Sequence, residues 1–159
     1  MGYPKVVLWV SRHKPMREEV DELKKLYGED VVIVTVNRRF KAVDELLKIV
    51  SETNPVAMVC ILPLSFVMHL IEYLGDRVVI LMPEMVTITV TRNKRQAMEL
   101  AKKGARVMVK RLDKYEVKEF RGYKRVKRIV IETEPVGIHE NINNINNVND
   151  IHISHTEVV

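Results

Sequence analysis

The first half of the chain shows two alternating patterns of apolar and polar positions. Short runs of β-branched and other apolar residues, at 6–10 and 31–36, predict strands that are buried on both faces. Between these runs, apolar residues recur at helical spacing, in one segment that ends at Gly28 and in another that ends near Asn54. The order strand, helix, strand, helix therefore predicts a parallel sheet with right-handed crossovers.

The same order continues to residue 84. A third strand is predicted over 56–62, a helix over 66–74, and a fourth strand over 78–82 that ends at Pro83 and Glu84. Pro15 suits the first position of the first helix. Helices on both faces of this sheet give a three-layer, Rossmann-like, mostly parallel α/β fold, and we expect the strand order three-two-one-four.

The pattern beyond residue 85 is typical of antiparallel strands. Residues 86–91 alternate valine or isoleucine with threonine, and a helix capped by Asn93 leads to a strand over 106–110. Residues 115–120 and 123–132 flank Arg121-Gly122 and predict an antiparallel hairpin that turns at this dipeptide. In that register Val117 lies opposite Val126, and Glu119 lies opposite Lys124.

These patterns divide the chain into one domain and a tail. Residues 1–137, with the hairpin at 115–132, are predicted to form a single Rossmann-like domain, which fits a total length of 159 residues. Residues 138–159 form an asparagine-rich carboxyl-terminal tail, and a neighbouring chain is one candidate to hold it in place.

Composition indicates a reducing compartment. The single Cys60 lies inside an apolar run, so no disulfide can form within the chain. We find no export signal and no apolar run near the roughly 20 residues that a membrane span needs, so we expect a cytoplasmic protein without a membrane partner. The 30% of charged residues, with valine and isoleucine in the strands, is a balance typical of thermophile proteins.

Charge is unevenly distributed along the chain. Residues 101–130 contain 12 lysines and arginines against three acids, whereas residues 131–159 contain none against five. The first hundred residues nearly balance, with 14 bases and 13 acids. A local basic block of this kind indicates an anionic partner, with nucleic acid or a nucleotide as the first candidates, or else the solvated strands of a thermophile protein.

Polar residues follow each predicted parallel strand. Because ligands bind at the carboxyl ends of such strands, we expect these residues to form an anion-binding crevice between the first and fourth strands. Arginine side chains, a serine hydroxyl and free backbone N–H groups suit phosphate or carboxylate. The candidate ligand-binding residues are Ser11, Arg12, His13, Asn37, Arg38, Ser65 and Glu84.

Several signatures of catalysis are missing from the sequence. No glycine-rich loop follows the first strand, so we expect no nucleotide cofactor, and no paired carboxylates follow the strands. The tail histidines have little to fix their geometry, so we expect no metal site. His13 alone suits general acid or base chemistry near neutral pH, so any activity is expected to be of a metal-independent phosphodiesterase type, and a non-enzymatic role is favoured.

The turn Val10-Ser11-Arg12-His13-Lys14-Pro15-Met16, followed by an acidic helix, resembles small CRISPR-associated Rossmann-like proteins. Members of that family bind cyclic oligoadenylates, and some cleave them. The resemblance covers about a tenth of the chain. It implies a symmetric homodimer in which an oligonucleotide lies across the carboxyl ends of both sheets and contacts Ser11, Arg12 and His13.

Two other functions stay open at this point. The predicted hairpin places aromatic rings among cations, as proteins that bind single-stranded nucleic acid do, on the set Lys118, Phe120, Tyr123, Arg125 and Lys127. The same cations can instead keep an edge hairpin soluble while the rings pack on the domain. A purely structural or assembly role, with the tail packed on another chain, is the third possibility.

Overall fold

The computed structural model describes residues 2–137. Over that range the chain forms a six-stranded mixed sheet and four helices. The elements in chain order are β1 (Val6–Val10), α1 (Arg17–Tyr27), β2 (Val32–Val36), α2 (Val43–Thr53), β3 (Ala57–Cys60), α3 (Leu64–Leu74), β4 (Val79–Thr91), α4 (Lys94–Ala101), β5 (Arg106–Arg111) and β6 (Lys114–Arg125). The predicted α/β class is confirmed.

The chain divides into two compact units, residues 1–128 and residues 129–159. Every strand and helix named above belongs to the first unit. Residues 129–137 are the described part of the second unit, and they form neither helix nor strand. The asparagine-rich tail predicted at 138–159 lies outside the described residues.

The strand order is β2-β1-β3-β4-β6-β5. Neighbours among β2, β1, β3 and β4 run parallel, whereas β6 is antiparallel to both β4 and β5. The expected order three-two-one-four is wrong, because β3 pairs with the side of β1 that β2 leaves free. Burial explains the difference: all four residues of β3 are buried and need neighbours on both sides, whereas β2 has exposed positions that suit an edge.

One face of the parallel strands packs against α1. Leu23 of this helix belongs to a buried cluster with Val7, Trp9, Val59 and Leu81. Charged residues cover the rest of α1, which leaves a single apolar stripe for the sheet. Trp9 is the largest side chain in this layer and is 1% exposed.

The opposite face is buried as well. Side chains alternate along a strand, so Leu8 and Met58 point away from α1, and both are 0% exposed. Helices α2 and α3 contact each other and contribute Leu46 and Val67, which are also fully buried. Right-handed crossovers place these two helices on that face, because the chain reverses its direction across the sheet after β2.

Two helix starts differ from the prediction. Helix α1 is capped by Met16, whose backbone N–H donates to Glu19 Oε1 at 2.9 Å, so Pro15 precedes the helix instead of occupying its first position. Helix α3 begins at Leu64, directly after Pro63, which is two residues earlier than the apolar spacing indicates. None of the helices described over residues 2–137 is both long and apolar enough to cross a membrane.

The fourth strand does not end at Pro83. Strand β4 is 13 residues long and passes through this proline, so Glu84 lies inside a strand instead of at its end. A register shift between Pro83 and Met85 interrupts the ladder with β6 at this point. Such a bulge is where a strand tolerates a residue without a backbone N–H, and this is why the local breaker signal misled the prediction.

The hairpin predicted to turn at Arg121-Gly122 is also wrong. Strand β6 continues through this dipeptide, and its extra residue is taken up by the bulge opposite Pro83, where Gly122 has a φ of 100°. The turn is instead Leu112-Asp113, which joins β5 to β6 with Arg111 paired to Lys114. An antiparallel hairpin therefore exists in this part of the chain, one strand earlier than predicted.

Tyr123 connects the antiparallel strands to the parallel half of the domain. Its hydroxyl donates to the backbone carbonyl of Glu19 in α1 at 2.9 Å, and its ring packs edge-on against Phe120 at 5.1 Å between centroids. Burial raises the pKa of Tyr123 above its ordinary value and also raises the pKa of the neighbouring Glu19. The phenol therefore stays protonated and able to donate at physiological pH.

We expect Tyr123→Phe to lower the free energy of unfolding by about 1 kcal/mol, because the Glu19 carbonyl loses its donor while the ring still packs. Urea unfolding, followed by the fluorescence of the single buried Trp9, measures this change. Tyr73→Phe is the matched control, since Tyr73 is 61% exposed. Equal stability of Tyr123→Phe and the unmodified protein would show that the hydrogen bond contributes nothing.

Candidate ligand-binding site

A cavity of about 400 Å³ opens at the carboxyl ends of β1 and β3. The crossover after β1 leads to β2 on one side and the crossover after β3 leads to β4 on the other, so the connections diverge between β1 and β3. In open α/β sheets this is where ligands bind. The residues that line the cavity are Val10, Ser11, Arg12, His13, Arg38, Ile61, Leu62 and Pro63.

The turn after β1 is held by two side-chain hydrogen bonds. The backbone N–H of His13 donates to Ser11 Oγ at 3.1 Å, and Trp9 Nε1–H donates to the His13 carbonyl at 2.8 Å. Ser11 is 7% exposed and Trp9 is 1% exposed, so both partners are fixed by the core. Arg12 and His13 are exposed, and they project from a backbone that these two hydrogen bonds fix in place.

Two arginines border the cavity. Arg12 follows β1, whereas Arg38 follows β2 and lies over the ring of Phe40, with its guanidinium carbon 5.0 Å from the ring centroid. Phe40 in turn packs against Phe66 of α3 at 6.1 Å between centroids. Among the described residues, no carboxylate forms an ion pair with either arginine, and none lines the cavity.

The third border of the cavity is the start of α3. Pro63 caps this helix without a side-chain hydrogen bond, while its carbonyl accepts from the N–H groups of Phe66 and Val67. The N–H groups of Leu64 and Ser65 belong to the first turn, where the helix itself offers no acceptor. The helix dipole favours negative charge at this end.

Part of the cavity surface is apolar and open to solvent. Ile61 lines the cavity and is 48% exposed, and Leu64 at the start of α3 is 58% exposed. Exposed aliphatic side chains beside a cluster of cations suit a ligand that has both an anionic and an apolar or aromatic part.

The structure brings together four of the seven residues predicted for the crevice, namely Ser11, Arg12, His13 and Arg38. Asn37 and Ser65 are exposed near the ends of their elements and do not line the cavity. Glu84 is elsewhere, because β4 continues past it, and its carboxylate pairs with Lys124 at 3.2 Å. Placing Glu84 at the crevice was therefore wrong.

Sequence reasoning missed the apolar side of the site. The apolar run predicts Ile61 and Leu62 as the end of the third strand, which in fact stops at Cys60. No motif in the sequence marks Phe40, although it lies two residues after Arg38. The pairing of β3 with β1 is the signal that identifies Ile61 and Leu62, because the crevice then falls between these two strands instead of beside β4.

Six of the 12 lysines and arginines of the basic segment, residues 101–130, form ion pairs within the domain. Phe120 is 9% exposed, and both it and Tyr123 pack internally, so neither ring is presented for stacking on bases. Lys118 pairs with Glu116 at 3.7 Å, and Arg125 pairs with Asp76 at 3.4 Å. Of the five residues predicted to bind nucleic acid, only Lys127 is exposed without such a partner in the described part of the chain.

Glu119 forms ion pairs with two cations of the basic segment. Its carboxylate accepts from Arg106 Nε at 2.9 Å across the β5–β6 ladder, and Arg121 Nε lies 2.8 Å from its other oxygen. The hydrogen bond from Arg106, together with the charge of Arg121, holds the pKa of Glu119 below its ordinary value. These ion pairs, one across the ladder and one within β6, account for part of the basic charge without a ligand.

Cys60 ends β3 and lies immediately before the cavity residue Ile61, yet its side chain is 0% exposed. Burial raises the pKa of the Cys60 thiol to about 12. The thiol therefore stays protonated and serves as packing. Over residues 2–137, no group of three or more histidine, cysteine or acidic side chains comes close enough to hold a metal ion.

Comparison with protein-family models, with curated proteins and with solved structures found no match to this chain. The chemistry of the site is therefore inferred from its own geometry.

In the folded protein at about pH 8, we expect Cys60 to react with Ellman's reagent about a thousandfold more slowly than in denaturant, because a raised pKa and full burial both suppress the thiolate. Absorbance at equal reagent concentration, with and without urea, gives both rates. Rapid reaction of one thiol per folded chain would show that β3 opens readily at its carboxyl end.

Proposed function

We propose that this protein binds a phosphate-containing ligand, a nucleotide or a short oligonucleotide, in the crevice between β1 and β3. The observation that carries the proposal is the convergence of Arg12 and Arg38 on one cavity without a carboxylate among its lining residues. Two exposed cations that form no ion pair with another residue of the range 2–137 are available to an external anion, with which they make strong charge-assisted hydrogen bonds.

Phosphate fits this site better than a simple carboxylate does. Arg12 and Arg38 come from different strands, so they can contact different oxygens of a tetrahedral group, or two successive phosphates. The free N–H groups at the start of α3 add donors that bind the phosphates of a ligand whatever bases it carries. Ile61 and Leu64 offer apolar surface on which a base can rest.

Cyclic oligoadenylate is the specific ligand that the resemblance of the first turn implies. In support, Ser11, Arg12 and His13 lie together at the cavity. We propose binding without catalysis as the primary role. Any cleavage would depend on His13, which is exposed at the cavity border and could exchange a proton with the ligand. The same resemblance suggests a homodimer.

Nucleic-acid binding through the basic segment is the second of the proposed functions. The internal packing of Phe120 and Tyr123 removes the stacking surface on which that hypothesis depends. Salt dependence separates the two functions, since a protein that contacts many phosphates loses orders of magnitude in affinity between about 50 and 200 mM salt. A two-arginine crevice has a shallower dependence.

Arg12→Ala and Arg38→Ala should each weaken binding of a nucleotide or cyclic oligoadenylate by about tenfold to a hundredfold, the effect of losing one charge-assisted hydrogen bond. Thermal shift across a panel of nucleotides identifies the ligand, because binding to the native state raises the midpoint. Isothermal titration of the unmodified and substituted proteins then gives the affinities.

Arg39→Ala is the matched control, because Arg39 is the exposed neighbour of Arg38 and does not line the cavity. It should leave the affinity within about twofold of the unmodified protein. A panel that moves no midpoint, or a ligand whose affinity is equally insensitive to all three substitutions, would refute binding at this crevice.

Ser11→Ala tests the hydrogen bonds that hold the turn. Removing the hydroxyl leaves the His13 N–H without its acceptor, so we expect unfolding to become easier by about 1 kcal/mol and ligand affinity to fall although both arginines remain. Ser11→Thr keeps the hydroxyl and should retain more affinity than Ser11→Ala. Unchanged affinity in Ser11→Ala would show that the turn needs no such support.

A further inference from the structure

Strand β2 forms one outer edge of the sheet and leaves backbone groups free for pairing. The N–H of Val32 donates to the Lys5 carbonyl beside β1 at 2.8 Å. Because successive N–H groups along a strand point to opposite sides, those of Ile33 and Thr35 point outward, away from β1. Over the described residues, no other strand pairs with this edge.

The two edges of the sheet differ in their protection. Strand β5, at the other edge, carries Arg106, Lys110 and Arg111, and edge charges of this kind discourage pairing with another chain. The β2 sequence VIVTV has no charge and no proline, and Val32 is 42% exposed. An uncharged edge strand of this kind is a template for a further strand.

Charged residues flank β2 symmetrically. Glu29 and Asp30 lie three and two positions before Val32, and Arg38 and Arg39 lie two and three positions after Val36. All four are exposed. None forms an ion pair with another of the described residues.

This arrangement is self-complementary. When two copies of β2 pair antiparallel about a two-fold axis at Val34, the acidic turn at Glu29-Asp30 of one copy lies beside Arg38 and Arg39 of the other. Ile33 and Thr35, whose backbone groups point outward, then face each other and exchange hydrogen bonds, as an antiparallel ladder requires. The direction of the backbone groups allows this register, and the charges favour it over its neighbours.

Neighbouring registers lose this agreement. Centring the pair on Ile33 places Arg38 opposite Gly28, and centring it on Thr35 places Arg38 opposite Val32. The apolar core of the pair is also self-matched in the Val34 register, with Val32 facing Val36. Complementary charges at both ends add specificity to a contact whose affinity comes from backbone hydrogen bonds and buried valines.

We propose that β2 is the interface of a symmetric homodimer, in which a second copy of this chain pairs antiparallel to β2 about Val34 and extends the sheet across both molecules. The proposal needs no ligand, although Arg38 belongs both to the crevice and to this interface. Antiparallel pairing points the carboxyl ends of the two sets of parallel strands in opposite directions. The two crevices therefore lie at opposite ends of the strands in the extended sheet. One oligonucleotide could not then lie across both crevices.

Charge reversal at the pair of Glu29 and Arg39 tests the interface. Glu29→Arg alone and Arg39→Glu alone each place like charges opposite each other twice per dimer, so each should raise the dimer dissociation constant by about tenfold or more. The double substitution restores opposite charges and should return the constant to within about threefold of the unmodified protein. Sedimentation velocity over a concentration series measures all four proteins.

Val34→Lys gives a second test that does not depend on surface charge pairs, because it places two like charges at the two-fold axis. Its circular dichroism melt must first match that of a folded protein, and it should then sediment as a monomer. Thr87→Lys, at an exposed position of β4, is the control and should remain dimeric. An unmodified protein that is monomeric at every concentration overturns the proposal, as does a dimer unaffected by these changes.

Failure of the proposed interface and failure of the proposed ligand site give different experimental results. Glu29 and Arg39 do not line the crevice, so their substitution leaves the residues of the proposed ligand site intact. Loss of dimerisation with full ligand affinity supports the interface alone. Loss of ligand affinity in Arg12→Ala with an intact dimer supports the crevice alone.

Discussion

The hydrogen bond from the Trp9 indole to the His13 carbonyl joins the core of this domain to its crevice. A buried indole N–H needs an acceptor. The core strands offer no free carbonyl, because their carbonyls accept hydrogen bonds within the sheet. The nearest turn supplies it, so the packing of a large aromatic side chain beneath α1 fixes the backbone of the turn that follows β1. The positions of Ser11, Arg12 and His13 depend on this connection.

The sequence predicts most element types well because the periodicity that defines them is local. Strand β1, helix α2, helix α4 with its Asn93 cap, and strand β5 all form within one or two residues of their predicted bounds. The order of strands depends on which edge of β1 receives β3, and no local pattern records that choice. Four crevice residues were still found, because they end β1 and β2, and both strands keep their carboxyl ends at the same edge in either order.

The remaining errors share a physical origin. Pro83 predicts the end of a strand and Gly122 predicts a hairpin turn, and neither occurs. In the structure they lie on the two sides of one bulge, where the missing N–H of the proline and the positive φ of the glycine are both accommodated. A proline and a glycine that face each other across a ladder are accommodated without ending either strand. This can be recognised only once the pairing is known. The false strand end at Pro83 misplaced Glu84, and the false turn at Gly122 gave Phe120 and Tyr123 an exposed face that they lack.

The length of β4 has a consequence for how this chain is made. Strand β3 and its parallel partners become complete as soon as residue 82 or so has left the ribosome, but the other edge of β4 finds its partner only when β6 has been synthesised, at Arg125. Until then the nascent chain carries a strand of 13 residues that is paired only with β3, at residues 79–81. Pro83 and the charge of Glu84 reduce the attraction of that edge for other chains, so the proline that interrupts the final ladder also protects the growing polypeptide from mispairing during translation.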